Sequence, residues 1–287
     1  MAKMYKGFNK DMTCNGFQYE EGKEYTCNGA RLCEHGFHAC EMPLDCFRYY
    51  KPDKSVYHEV ELDASGEYEI NDSKRCGKKI KIGAKLEIAD IVRAQIEITR
   101  EHADNVGGNY STNAGSYGST NAGGDYSTNA GSYRSTNAGG YGSTNAGGNW
   151  STNAGGYRST NVGGGYSANA GVGWSTNVGG YRSTNAGGDH SINAGGDWST
   201  NAGSYGSTNA GGYGSTNVGG ENSLCVCWNG KCKGGVGSIL VIGHRYFNGD
   251  KWVVDGYAHG IVDGEKIKAD TWYAYKDGEL VEVADDD

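Results

Sequence analysis

From Ala103 to Asn222 small and polar residues recur with a period of eight: Ser-Thr-Asn-Ala-Gly, then usually Gly or Ser, then two variable positions. Fourteen octads follow one another without a gap from Ser111, and Ala103–Tyr110 (ADNVGGNY) is a degenerate fifteenth. Alternation over the first four positions predicts a short strand, with Thr and Ala on one face and Ser and Asn on the other. After the entry repeat Thr gives way only to Ala168 and Ile192 and Ala only to Val, so the Thr/Ala face is expected inside. The Gly pair is expected to make the corner, since Gly takes positive φ at little cost. One octad cannot bury a face alone, so the octads are expected to stack as a mainly-β solenoid.

The seventh and eighth positions add a second period. Tyr126, Trp150, Trp174 and Trp198 recur every 24 residues, and Tyr133-Arg134, Tyr157-Arg158 and Tyr181-Arg182 form a second track at the same interval. A third track, Tyr117, Tyr141, Tyr166, His190 and Tyr213, shifts between the two positions. Three octads, 24 residues, are therefore expected per coil, so that like residues stack about 4.8 Å apart. A sixteen-residue, two-sided coil with a thin Ala/Thr core is the alternative, and a flexible Gly/Ser-rich tract is a third reading.

On the N-terminal side, short extended stretches at Met4–Phe8, Phe17–Tyr19, Gly36–Cys40, Val56–Leu62 and Lys79–Ile82 predict strands. Pro43 opens a short helix over Leu44–Tyr50, and Ile88, Ile91, Val92 and Ile96 share one face of a helix over Ile88–Arg100, expected to cap the solenoid. On the C-terminal side, Asn248-Gly249, Asp255-Gly256, Asp263-Gly264 and Asp277-Gly278 separate apolar runs, the signature of an antiparallel meander. Three domains are expected: an α+β cap over 1–102, the solenoid over 103–222 and a β domain over 223–287. The final Asp285-Asp286-Asp287 reads as a solvated tail.

Composition narrows the function. Two prolines among 287 residues and glycines without a three-residue period exclude collagen. The net charge is −8, but the array is close to neutral, holding only Arg134, Arg158 and Arg182 against five acidic residues, a poor footprint for duplex nucleic acid. No apolar run is long enough for a membrane helix and the N-terminus shows no export signal, so the expectation is a cytoplasmic protein with its nine cysteines reduced. Cys33, His35, His38 and Cys40 lie within eight residues and are zinc-ligand types. Four ligands from one strand-like run close poorly around a tetrahedron, so buried thiols with a hydrogen-bonded His38 are favoured and no metal or cofactor is expected. Cys225, Cys227 and Cys232 read as thiols packed at the solenoid's end.

Tyr5-Lys-Gly-Phe8, Gly16-Phe-Gln-Tyr19, Gly36-Phe-His-Ala-Cys40 with Pro43-Leu-Asp45, and Ala269-Asp-Thr-Trp-Tyr273 resemble a family of uncharacterised phage and prophage proteins in which such ends flank a Gly/Ala-rich octapeptide array. That resemblance implies a phage-related origin and brings no catalytic residues. A fainter one joins Gly36-Phe-His-Ala-Cys-Glu41, the helix ending in Tyr49-Tyr50 and the strand Val56–Leu62, which are similar to the central segment of ADP-ribosyltransferases. In those enzymes a His or Arg on the first strand grips the nicotinamide cofactor and a late Glu orients the ribose. Here the first strand offers Lys6, and Glu59, Glu61 and Glu67 lie in no recognisable late-Glu motif.

The expected function is therefore non-enzymatic binding. The tracks Tyr126, Trp150, Trp174, Trp198, Tyr133-Arg134, Tyr157-Arg158 and Tyr181-Arg182 would present hot-spot residue types to a host protein or small ligand, in an anti-defence or host-takeover role. The alternatives are a fibre-like or glycan-binding module, with several copies assembling, and a transferase acting through the N-terminal domain.

Overall fold

The computed structural model describes residues 1–64 and 73–284. Glu67 and the tail Asp285-Asp286-Asp287 lie outside the described residues. The chain divides into two compact units, Met1–Ile98 and the remainder from Thr99 onward.

Among its described residues the first unit has eight strands: β1 (Ala2–Asn9), β2 (Thr13–Cys14), β3 (Phe17–Gln18), β4 (Glu24–Thr26), β5 (Phe37–Cys40), β6 (Ser55–Leu62), β7 (Lys74–Gly77) and β8 (Lys79–Leu86). Six form one antiparallel sheet in the order β4-β8-β6-β1-β5-β7, and β2 pairs with β3. Central β1 is buried on both faces from Met4 to Phe8, with Met4, Phe8, Val60, Leu62, Ile80 and Ile82 in the core. A 3-10 turn at Pro43–Asp45 runs into helix α1 (Cys46–Tyr49), as proline at a first helical position directs. Helix α2 spans Ile88–His102, buries Ile91, Val92 and Ile96, and uses Gln95 Oε1 to accept the Leu44 amide at 3.1 Å.

The second unit is a two-sided β-solenoid. Each octad forms one short strand, and every strand pairs in parallel with the strand two octads on: Thr112 with Thr128, Thr128 with Thr144, Thr120 with Thr136. The coil is thus sixteen residues, not the 24 that the aromatic tracks suggested. Alternate octads build two opposed sheets. The first contains Thr112–Ala114 through Ile239–Phe247, nine parallel rungs, and the second contains Asn105–Val106 through Lys231–Lys233.

The interior also inverts the expectation. Asn and Ser point inward, and the third-position asparagine of every octad from Asn121 to Asn217 is fully buried. Each side-chain amide donates to the Ser two residues before it and to the ladder residue of the next coil, and many also reach a carbonyl on the facing strand. Asn145 Nδ2 donates to Ser143 Oγ (3.1 Å), to the Ala154 carbonyl on the facing strand (3.0 Å) and to Asn161 Oδ1 in the next coil (2.9 Å), while its Oδ1 accepts from Asn129 Nδ2 (2.9 Å). The pattern continues along the array, so amide ladders run the length of both sheets. Asparagine succeeds here because the two sheets lie close enough for its amide to reach a backbone carbonyl across the core, and buried polar groups carry little penalty when fully hydrogen-bonded. Thr and Ala, which have no such reach, alternate to the faces turned away from the facing sheet: on the first sheet Thr144 is exposed, whereas on the second Ala122, Ala138, Ala154, Ala170 and Ala186 are fully buried.

The fifth octad position is Gly for space, not for conformation. A Cβ on Gly147 would overlap Ser151 Cβ and sit 2.5 Å from its Oγ, and the same collision recurs at Gly115, Gly123 and onward. Positive φ falls instead at the eighth position, where Tyr126, Arg134, Trp150, Arg158, Tyr166, Trp174, Arg182, His190 and Trp198 all lie between 54° and 62°. At some corners a seventh-position Asn or Asp side chain accepts from the backbone of the next coil, as Asp125 does from Tyr141 N–H (2.8 Å) and Asp197 from Tyr213 N–H (2.7 Å).

After Asn222 the ladder changes chemistry. Asn209 and Asn217 meet the thiols of Cys225 (3.9 Å) and Cys232 (4.0 Å) in place of another amide, and Leu240 and Ile242 follow. Cys225, Cys227 and Cys232 form a buried apolar plug with Val262 and Tyr273, as the sequence suggested, and burial pushes the Cys225 thiol up to about 12. The C-terminal strands are antiparallel, and each hairpin extends one solenoid sheet: Trp252–Ile261 pairs on Ile239–Phe247, and Tyr273–Lys276 joins Lys231–Lys233 and Glu279–Glu282.

Candidate functional site

A spacing of 24 residues is one and a half coils, so members of each track alternate between the two edges of the flattened solenoid. One edge carries Tyr117, Tyr133-Arg134, Trp150, Tyr166, Tyr181-Arg182, Trp198 and Tyr213, which follow strands of the first sheet. The opposite edge carries Tyr110, Tyr126, Tyr141, Tyr157-Arg158, Trp174, His190 and Tyr205. The three tryptophans therefore do not stack on one another. Their neighbours come from the other tracks.

On the first edge Trp150 stacks on Tyr166 with centroids 4.6 Å apart and planes 4° apart, Tyr166 meets Tyr181 edge-on at 5.6 Å, and Trp198 meets Tyr213 at 5.7 Å. Arg134 lies over Tyr133 and Arg182 over Tyr181, 5.7 and 5.3 Å from the ring centroids. The row ends on the C-terminal hairpin, where Arg245 sits among Tyr213, Trp228 and Trp252. On the second edge Tyr110 and Tyr126 stack at 5.3 Å, Trp174 packs on His190 at 4.6 Å, and Arg158 Nη1 donates to the Tyr141 hydroxyl at 3.4 Å. These rings remain open to solvent: Trp174 and Trp198 keep about half their surface exposed, at 52% and 51%. A coil spacing near 4.8 Å brings successive rings into contact range, and the corner backbone fixes where each ring leaves the scaffold.

The first unit holds a second, different site. Between β1, β2, β5 and α1 lies a cavity of about 570 Å³ lined by Lys6, Cys14, His38, Tyr50 and Lys74 among others. Gly7 permits its wall, because a Cβ there would collide with the Tyr50 side chain. Lys6, only 5% exposed, donates to the His38 carbonyl at 2.9 Å and to Cys14 Sγ at 3.5 Å. The Tyr50 hydroxyl also donates to Cys14 Sγ, at 2.7 Å, and burial with that bond pushes its ionisation above the usual phenol range, so it stays a donor. His38 Nε2 accepts the Cys33 amide at 3.1 Å, and burial, then Lys6 and Lys74, hold the ring below the ordinary imidazole range.

The four zinc-ligand types are not gathered. Cys33 is exposed with Lys74 Nζ donating to its sulfur at 3.1 Å, Cys40 is buried, and His38 accepts from backbone. Among the described residues no three His, Cys, Asp or Glu side chains form a group suited to a metal. Nor do the β6 carboxylates face Lys6: Glu59 pairs with Lys3 at 2.8 Å and Glu61 is exposed. Pattern reading of the N-terminal segment left this cavity unseen, because Lys6, Cys14 and His38 lie on three separate strands and Tyr50 just past α1.

Fold and surface together define a tandem-repeat β-solenoid protein with a small sheet domain at its N-terminal side. Residues 2–94 match a domain of unknown function, DUF7666. No curated protein and no solved structure matches the chain. No helix of the described residues is long and apolar enough to cross a membrane.

Proposed function

We propose that this is a non-enzymatic binding protein, encoded by a phage or prophage and acting in the host cytoplasm, that captures a host protein on the first aromatic edge of its solenoid and so blocks a defence or redirects metabolism. The observation carrying this reading is the alignment of Tyr133, Trp150, Tyr166, Tyr181, Trp198 and Tyr213 along one edge, in the contacting groups Tyr117–Tyr133, Trp150–Tyr166–Tyr181 and Trp198–Tyr213, with two arginines on its rings. Trp, Tyr and Arg dominate binding energy at protein interfaces, and rings held in place before binding lose little entropy on contact. The amide ladders supply that rigidity. With only three arginines in the array, the edge lacks the charge that duplex nucleic acid requires.

The two-edged geometry sharpens the test. Full-length protein with Trp150 and Trp198 replaced by Ala is compared with protein carrying Trp174→Ala and Tyr157→Ala, in pull-downs from host lysate. The first pair is expected to lose the captured partner, each truncation weakening binding by about 2 kcal/mol or more. Far-UV circular dichroism should be unchanged in both. Equal capture by the first pair and by unmodified protein would reject the proposal.

A further inference from the structure

We infer that the cavity of the N-terminal unit is a binding site for a small anion bearing carboxylate or phosphate oxygens, with Lys6 at its base and Lys74 beside it. A lysine that is 5% exposed is costly to hold charged unless an opposite charge meets it. The described residues give Lys6 no carboxylate: its contacts are the His38 carbonyl, the Cys14 sulfur, and the rings of Phe8, Tyr19 and Tyr50 at 5.3 to 6.0 Å. All are neutral or weak acceptors. The one glutamate lining the cavity, Glu34, is paired with Arg31 at 3.0 Å.

The rest of the lining suits the same ligand. Lys74 lies 4.2 Å above the Tyr49 ring and brings a second positive charge, and Asn9 and Asn15 add amide donors. The volume accommodates a small metabolite, and the Tyr49 and Tyr50 rings offer an apolar flank for its uncharged part. An arriving anion would supply the charge that Lys6 lacks, in surroundings of low dielectric where the pairing is strong.

Full-length protein is titrated with inorganic phosphate and, separately, with benzoate, following the backbone amide signals of Lys6, Asn15 and Lys74 by NMR and the thermal midpoint. Saturable shifts and a raised midpoint with either probe, absent with sodium chloride at equal ionic strength, are expected; phosphate alone or benzoate alone then tells which oxygens the site prefers. Lys6→Met should weaken the responding probe about tenfold or more. With no anion present, the same variant should melt at or above the midpoint of unmodified protein, because it removes an unbalanced buried charge. Lys74→Met, on the open side, should weaken the probe with the fold intact. No response to either probe, or a Lys6→Met variant that binds as well as the parent, overturns the inference. So does a Lys6→Met variant that melts lower without anion while Lys74→Met leaves probe binding unchanged, since Lys6 would then be structural only.

Discussion

Replacing one buried asparagine and its outward neighbour with the same residue, aspartate, tests the inverted interior directly. In Asn145→Asp the carboxylate keeps the bond from Asn129 but sets oxygen against oxygen at Ala154 O and Asn161 Oδ1, where the amide donated at 3.0 and 2.9 Å. Losing two donated bonds costs about 1 kcal/mol each, and stranding the buried Asn161 acceptor adds about 1–3 kcal/mol, so about 3–5 kcal/mol is expected before any penalty for burying charge. Thr144, one residue earlier, is exposed, and Thr144→Asp should stay within about 0.5 kcal/mol of the parent. The assay is guanidinium unfolding of the full chain, with amide hydrogen exchange across 129–162 to locate the weakened coils, since solenoid stability is a sum of neighbour terms. The sign of the pH dependence adds a check. Burial raises the folded-state pKa of the new carboxyl, so the protonated form, which can donate again, restores stability at low pH, and the deficit grows as pH rises through the unfolded and then the folded value. If Thr144→Asp unfolds the array while Asn145→Asp leaves it intact, Thr and Ala face inward after all and the ladder is refuted.

Two further outcomes follow from the corners and the cavity. Gly147→Ala, at a glycine of ordinary φ, should destabilise by about 1–3 kcal/mol through its collision with Ser151, whereas Gly118→Asn, at φ 67° with nothing near its Cβ, should cost a few tenths; the reverse order in chemical unfolding would return the corner to the Gly pair. Because burial and then the two lysines depress His38, the folded state prefers the neutral ring: its stability is full above the ordinary value of 6.5 and falls as pH drops through that value toward the lowered one. His38→Gln, which can still accept the Cys33 amide, should flatten that part of the stability-pH curve, and an unchanged slope would count against the assignment.

Much of the fold is legible in the residues alone. An unbroken octad makes stacked short strands obligatory, since no single octad can bury a face, and the strands, the proline-led turn and the face shared by Ile91, Val92 and Ile96 follow from local pattern. Pairing is decided elsewhere. A period of 24 in the aromatic residues is compatible with any coil in which those residues leave the chain at corners, and hydrogen-bond register between Thr112 and Thr128 fixes sixteen. The inner face likewise escapes a rule that sends apolar residues inside. That rule assumes an interior thick enough to be filled by side chains, whereas two sheets this close let Asn145 reach the Ala154 carbonyl and Asn161 at once. Lys6, Cys14, His38 and Tyr50 carry no shared spacing, so only tertiary structure brings them to one cavity. The sequence determines that octads stack and which residues recur; the distance between the sheets decides which of those residues fill the space between them and which face away from it.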